Sequence, residues 1–365
     1  MGKPPVRRLL PIIAALCLSL PSLAARADND TPTIVVDVTT GKVLQSTDSD
    51  ALWHPASLTK LMTAYVVFEA LGDGALTMAS PIKVSAHALA QAPAKMGFKV
   101  GTVMNVDNAL KMMLVKSAND IAVAIAESVA GSEPQFVARM NAAAAKLGMA
   151  STHYDNANGL PDDGQLTTAR DLAVLARAIL TEYPQYASYF GIPAIKAGKR
   201  ILRSENDLLE EYQGTMGMKT GFICASGYNI VATAKRGDKT LIAVVLGAPS
   251  SSVRAETAAH LLDDGFGTWF VKSKPDLASF EATASTGPAA DLHDTVCTKH
   301  DDADAEGSSD DDAATASSLG PHFTLMDPVP VFTGLADSVG AAANAATKTV
   351  KKVLSGKVPL PRLRP

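Results

Sequence analysis

The chain of 365 residues has few cysteines, few aromatic residues and no apolar run of the length that spans a membrane. Its three cysteines, Cys17, Cys224 and Cys297, are too few for the disulfide framework of a small secreted domain. The seven histidines form no metal-ligand cluster. The apolar run near the N terminus has about 15 residues, fewer than the ~20 that cross a bilayer. The sequence therefore excludes a metal centre and a typical membrane span.

The first 27 residues have the composition of a secretory signal peptide. Lys3, Arg7 and Arg8 precede the apolar run, and Ala25-Arg26-Ala27 offers a small-x-small cleavage site. The segment holds four basic residues and no acidic ones, so its removal leaves 29 basic against 37 acidic residues. This acidic balance argues against nucleic acid as a partner. We predict a signal peptide at 1–27 and secretion across the inner membrane into the periplasm or cell envelope.

The stretch from His54 to Leu71 predicts a helix with a reactive serine at its start. Apolar residues recur at helical spacing until Gly72, which can end a helix. Ser57 then lies in the first turn, and Lys60 lies three residues later on the same face. A serine beside a lysine is a candidate nucleophile with its base. A second S-x-x-K, Ser80-Pro81-Ile82-Lys83, lies in a proline-containing turn and is not such a candidate.

Two more polar motifs follow in the chain. Ser117-Ala118-Asn119 lies between two predicted helices, so its side chains need partners in a buried turn. Lys219-Thr220-Gly221 precedes a predicted strand hairpin over residues 227–246, and Gly221 allows a ligand to approach the backbone. A predicted hairpin at residues 33–44 and the later one bracket a mostly helical middle, where Thr168 begins a helix as part of a capping box.

In this order and context, the three motifs resemble the S-x-x-K, S-x-N and K-T-G set of penicillin-binding proteins and serine β-lactamases. The flanking residues Pro55–Thr63, Lys116–Asp120 and Asn158–Asp162 look like those of the D-alanyl-D-alanine carboxypeptidases, the low-molecular-mass penicillin-binding proteins of serine peptidase family S11. The resemblance covers about Thr33 to Phe266 and implies a catalytic domain at 28–270. It implies an α/β (α+β) fold of β-lactamase/transpeptidase type, an antiparallel sheet flanked by helices plus a helical subdomain.

The resemblance also implies the chemistry of the motif residues. Ser57 is expected to be the nucleophile, Lys60 to take its proton, and Ser117 to relay a proton to the leaving group. To act as a base, Lys60 must be neutral, which requires its pKa to fall from ~10.4 by about three units. Burial and the nearby cation Lys219 are expected to lower it.

The same resemblance implies the residues that bind the substrate. Asn119 is expected to orient the substrate backbone, and Lys219 and Thr220, helped by Arg254, to meet its terminal carboxylate. The backbone N–H groups of Ser57 and Phe222 would form the oxyanion hole. The substrate-binding set is therefore Asn119, Lys219, Thr220, Gly221, Phe222 and Arg254. No cofactor or metal is implied.

The implied function is that of a D-Ala-D-Ala carboxypeptidase. It removes the terminal D-alanine from peptidoglycan stem pentapeptides through an acyl-enzyme, and β-lactams are its covalent inhibitors. Two alternatives stay open: a DD-endopeptidase acting on peptidoglycan cross-links, and a β-lactam-binding protein with little peptidase turnover. A class A β-lactamase is disfavoured, because the segment from Glu205 to Leu209 lacks the final Asn of the usual deacylation signature.

The chain departs from the family pattern in places. Ser204 and Asn206 stand where relatives often carry Asn-x-Asn, and Cys224 stands where a threonine is usual. The sequence leaves open whether Cys224 and Cys297 pair. The region 271–332 is acidic and of low complexity, which predicts a disordered linker. The tail at 333–365 is basic and weakly amphipathic, which fits either inner-membrane surface contact or a disordered tail.

Overall fold

The computed structural model describes Gly2 and residues 31–280, 288–297, 319 and 326–334. The predicted signal peptide and the acidic run from Asp301 to Asp312 lie outside these residues, except for Gly2. The predicted tail is described only at Thr333 and Gly334. The chain divides into two units, Met1–Asp30 and Thr31–Pro365, and the elements below all belong to the second unit.

The first half of this unit alternates short strands with longer helices. In chain order its elements are β1 (Thr33–Asp37), β2 (Val43–Thr47), a 3-10 turn (Ala56–Leu58), α1 (Thr59–Gly72), β3 (Pro81–Lys83), α2 (Ala86–Ala90), β4 (Val103–Asn105), α3 (Val106–Val115), α4 (Asn119–Ala130), α5 (Glu133–Leu147) and α6 (Ala169–Glu182).

The second half supplies the remaining strands and a long helix. Its elements are a 3-10 segment (Pro184–Gly191), β5 (Ala194–Ala197), β6 (Arg200–Arg203), α7 (Leu208–Glu211), β7 (Thr215–Ile223), β8 (Gly227–Arg236), β9 (Lys239–Ala248), α8 (Ser251–Gly267), a 3-10 turn (Val271–Ser273), α9 (His293–Val296) and β10 (Val329–Val331).

A five-stranded antiparallel sheet forms the centre of the fold, with the order β2-β1-β9-β8-β7. Successive side chains of a strand point to opposite faces. On β1, Ile34 and Val36 accordingly pack into the larger core, whereas Val35 packs into a second core shared with α8. The sheet is thus covered on both faces, and β7 forms one of its edges.

Helix ends follow the local signals in the sequence. The Thr168 hydroxyl accepts a hydrogen bond from the Asp171 N–H, as the predicted capping box requires. Gly131 and Gly148 end α4 and α5 in the left-handed conformation that favours glycine. Residues 59–68 of α1 are all buried, so this helix, which begins beside Ser57, runs through the core.

The described parts of 271–332 contact the earlier part of the unit. Leu277 is buried, and its N–H donates to the Gly41 carbonyl. Cys297 forms a disulfide with Cys224. β10 pairs in parallel with β5, and its Val331 is buried. A few apolar side chains and one covalent bond attach these parts to the catalytic region, despite the polar average composition.

Candidate active site

Ser57 lies in the 3-10 turn that leads into α1, as the sequence predicts. Two glycines allow other segments to approach this turn closely. A Cβ added to Gly159 would lie 2.0 Å from the Ala56 carbonyl oxygen, and one added to Gly221 would lie 3.0 Å from the Ser57 nitrogen. The turn is therefore held between the loop around Gly159 and strand β7.

Lys60 lies on the first turn of α1 and is fully buried. Its Nζ contacts three oxygens: the Ser57 hydroxyl at 2.8 Å, the Asn119 Oδ1 at 2.7 Å and the Asn158 carbonyl at 2.5 Å. A neutral amine has two N–H donors and one lone pair. Two of these oxygens are acceptors only, so a neutral Lys60 donates to both and can accept the Ser57 proton.

Burial and a second charge act together on this lysine. Burial lowers the pKa of Lys60 well below its ordinary value, and the positive charge of Lys219 lowers it further. The charges of Glu205 and Asp120 oppose this by raising the pKa. Burial and Lys219 are the two causes that the sequence analysis predicts.

Asn119 and Ser117 lie at the junction of α3 and α4. The Asn119 amide donates to the carbonyls of Ala92 and Pro93 at 3.1 and 3.2 Å, which fixes its Oδ1 toward Lys60. Ser117 is buried and has a positive φ of 60°.

Lys219 and Thr220 lie on β7 and are both buried. The Lys219 amine donates to the Thr220 carbonyl at 2.7 Å. Burial is the main cause that lowers the pKa of Lys219 to about 8; the charges of Arg254 and Lys116 lower it as well, whereas Glu205 raises it. Lys219 thus remains mostly protonated near pH 7.

The backbone of β7 presents an N–H at the sheet edge. The Ile223 N–H donates to the Ser226 hydroxyl in the turn toward β8. Successive N–H groups of a strand face opposite sides. The Phe222 N–H therefore faces the open edge, one residue beyond Gly221, which contacts the Ser57 turn.

Arg254 lies in α8 and is buried beneath the segment that replaces Asn-x-Asn. Its guanidinium donates to the Glu205 carbonyl at 3.0 Å and to the Asp207 carboxylate at 3.4 Å, and lies 5.9 Å from the centre of the Tyr228 ring. Both amide atoms of Asn206 are buried without a hydrogen-bond partner among the described residues. Arg254 thus holds this segment, and its charge acts on Lys219.

Sequence reasoning about single motifs missed two residues that shape the site. Asn158 is buried and supplies a carbonyl to Lys60. Asp120 is buried and accepts from the N–H groups of Met96 and Gly97 at 3.0 and 2.8 Å. This holds the loop whose carbonyls orient Asn119. The turn-forming run from Asn156 to Gly159 was the available signal for Asn158. The predicted buried turn at Asn119-Asp120 was the signal for Asp120.

Among the described residues, no group of three or more histidine, cysteine or acidic side chains could hold a metal ion. No helix in the same part of the chain is both long and apolar enough to cross a bilayer.

Comparisons with known proteins identify the family of the chain. The profile of peptidase family S11, D-alanyl-D-alanine carboxypeptidase, matches residues 22–250. D-alanyl-D-alanine carboxypeptidase DacC of Escherichia coli (strain K12) is 37% identical over 253 residues, which cover 67% of this chain and 62% of the relative. The chain thus spans less than two thirds of that relative's length.

Solved structures give the same result for the fold. The crystal structure of D-alanyl-D-alanine carboxypeptidase DacD from Francisella tularensis matches with a TM-score of 0.63 and 28% identity, over 71% of this chain and 74% of that one. Penicillin-binding protein D2 from Listeria monocytogenes, in its cefotaxime-bound form, matches with a TM-score of 0.56 and 32% identity, over 64% and 96%. The predicted transpeptidase-like fold is confirmed, and the chain belongs to the D-alanyl-D-alanine carboxypeptidase family, peptidase family S11.

Proposed function

We propose that the chain is a serine-type D-Ala-D-Ala carboxypeptidase that removes the terminal D-alanine from peptidoglycan pentapeptides. The observation that carries this proposal is the buried Lys60 amine, 2.8 Å from the Ser57 hydroxyl. Burial, together with the charge of Lys219, lowers its pKa and so favours the neutral form that a base needs. Membership of the carboxypeptidase family supports the choice of substrate.

In the acylation step, Ser57 Oγ attacks the carbonyl between the two D-alanines while its proton passes to Lys60. The N–H groups of Ser57 and Phe222 stabilise the negative oxygen of the tetrahedral intermediate; a single such donor typically contributes about 2.7–4 kcal/mol. Ser117 would relay the proton that Lys60 has taken to the leaving amine, so that Lys60 becomes neutral again and Ser117 keeps its own hydroxyl proton. Water then attacks the acyl-enzyme and releases the shortened peptide.

The charges around β7 support recognition of a carboxylate. Lys219, mostly cationic near pH 7, and the Thr220 hydroxyl would bind the terminal carboxylate of the substrate. Arg254 is buried and donates to the main chain of Glu205, so it would contribute through its charge and by holding its neighbours. Asn119 would orient the substrate backbone in addition to fixing Lys60.

The proposed setting is the periplasm or cell envelope. The signal-like residues 1–27 support export, and the disulfide between Cys224 and Cys297 suits an oxidising compartment. The basic tail at 333–365 would contact the inner-membrane surface. β-Lactams would acylate the same Ser57 and act as covalent inhibitors, as the cefotaxime-bound form of the Listeria relative suggests.

The test is D-alanine release from a muropeptide that ends in D-Ala-D-Ala. We expect release by the mature protein and none by the Ser57→Ala variant. Ser80→Ala is the matched control, because Ser80 begins the second S-x-x-K and its hydroxyl forms hydrogen bonds with Thr77, three residues away. If the mature protein releases no D-alanine, the proposed carboxypeptidase activity is wrong. Cleavage of cross-linked muropeptide dimers in its place would favour the endopeptidase alternative.

A further inference from the structure

The segment that contains α9 is attached to the turn between β7 and β8 at three points. Cys297 forms a disulfide with Cys224, 73 residues earlier in the chain. The Leu292 N–H donates to the Ala225 carbonyl at 2.9 Å. The Leu292 side chain also packs against Gly227, where an added Cβ would lie 3.0 Å from Leu292 Cδ1. We call residues 288–297 the C-terminal strap.

The other side of the same turn contacts the residues that lead to Ser57. The Trp53 indole N–H donates to the Ser226 carbonyl at 2.9 Å. The Asn229 amide donates to the Ser226 hydroxyl at 3.0 Å and to the His54 carbonyl at 3.4 Å. The turn therefore lies between the C-terminal strap and the chain that enters the nucleophile turn.

The turn also determines where β7 ends. β7 is an edge strand of the five-stranded sheet and is paired only with β8 among the described strands of that sheet. Phe222 lies two residues before Cys224 and packs against Tyr228, with 4.3 Å between the ring centres and 34° between the ring planes. A shift of the turn would consequently displace the Phe222 N–H, because β8 is the one strand among the described residues of this sheet that pairs with β7.

We propose that the Cys224–Cys297 disulfide positions the end of β7, so that the oxidised protein acylates faster than the reduced one. The inference rests on the proposed function, because acylation of Ser57 is its kinetic readout. Reduction by dithiothreitol balances as a two-electron step. The S–S bond breaks, the two sulfurs take up two protons to become thiols, and the reagent closes to its cyclic disulfide.

The kinetic test compares the oxidised and the dithiothreitol-reduced protein, with a fluorescent penicillin over a range of concentrations. We expect the limiting acylation rate to fall about tenfold on reduction, because a misplaced donor weakens binding of the transition state. The half-saturating concentration should change less than twofold, which separates this role from loss of binding. The Cys224→Ser/Cys297→Ser double variant should be as slow as the reduced protein and insensitive to dithiothreitol. Equal acylation rates for the oxidised and reduced proteins would overturn the proposal. So would a double variant that dithiothreitol slows as much as it slows the wild type.

Hydrogen exchange measured by mass spectrometry supplies a readout that does not need activity. On reduction, peptides covering residues 221–229 should exchange faster, whereas peptides of α4 should not change. Unchanged exchange at 221–229 would overturn the proposal, as would equal acceleration in α4, which would mean that the disulfide stabilises the whole fold. If no penicillin acylates the oxidised protein, the proposed function fails. The exchange result alone then decides the role of the disulfide.

Discussion

Replacement of Gly159 by alanine tests whether the loop beside the nucleophile turn sets the geometry of catalysis. Gly159 has a φ of +90°, and the new Cβ would lie 2.0 Å from the Ala56 carbonyl oxygen and 2.9 Å from the Ser57 nitrogen. Cβ contacts shorter than 3.0 Å essentially do not occur. Either the loop or the turn must therefore move by about 1 Å, which is the difference between the 3.0 Å limit and the 2.0 Å to the Ala56 oxygen.

Both movements disturb the reacting groups. The carbonyl before Gly159 belongs to Asn158 and accepts from Lys60, and the residue after Ala56 is Ser57. A misplacement of about 1 Å can cost about 10²-fold in rate. We expect the limiting acylation rate with a fluorescent penicillin to fall by about that factor. The left-handed backbone adds a destabilisation of about 1–2 kcal/mol in the free energy of unfolding.

Gly148→Ala is the matched control. Gly148 has a φ of +75° at the end of α5, and no atom lies within 4 Å of its added Cβ. This variant should show a similar loss of stability in urea unfolding, with an unchanged acylation rate. The reasoning would be refuted by an acylation rate of Gly159→Ala within twofold of the wild type. It would also be refuted if Gly148→Ala lowered the acylation rate as much as Gly159→Ala does.

Three further predictions concern charges around the site. The acylation rate of the wild type should rise with pH as Lys60 loses its proton, and release of D-alanine should fall above about pH 8, where Lys219 loses its charge. Lys219→Gln should move the rising part of the acylation profile to higher pH, because the Lys219 charge lowers the pKa of Lys60. An unmoved profile would contradict this effect of Lys219 on Lys60. Glu205→Gln should move both limbs to lower pH in the same profiles, because the Glu205 charge raises the pKa of both lysines; a shift to higher pH would exclude this. Asp120→Asn should lower the free energy of unfolding by about 2 kcal/mol in urea, since hydrogen bonds to a charged group are worth about 1.5–3 kcal/mol; unchanged stability would show that the loop at Met96 and Gly97 is held by other contacts.

Local patterns predict the elements because their causes are local. The Thr168 cap acts on a residue three positions away, and Gly131 ends α4 through its own backbone conformation. The alternation of the β1 side chains between the two cores likewise follows from the geometry of one strand. Such features could be predicted without any knowledge of the tertiary structure.

The partners of Lys60 could not be predicted in this way. The motif places Lys60 beside Ser57, three residues away, but the Asn158 carbonyl is 98 residues away. The pairing of Cys224 with Cys297 is non-local as well, and two cysteines alone do not predict a disulfide. Average composition does not register a few apolar residues such as Leu277 and Val331, which are buried, so it could not predict where the described parts of 271–332 are attached.

The two buried lysines can now be assigned different tasks on physical grounds. Lys60 shares a hydrogen bond with the Ser57 hydroxyl, so the proton that must leave the nucleophile has a direct path to its amine. Lys219 instead donates to the Thr220 carbonyl, which directs its amine along β7, and its pKa of about 8 keeps it mostly protonated near neutral pH. Its charge also lowers the pKa of Lys60. In the proposed mechanism, a protonated Lys219 would therefore serve the reaction twice: it would favour the neutral form of the base, and it would offer a cation to the substrate carboxylate. A protonated Lys219 cannot take the serine proton, so the proposed mechanism gives the role of base to Lys60.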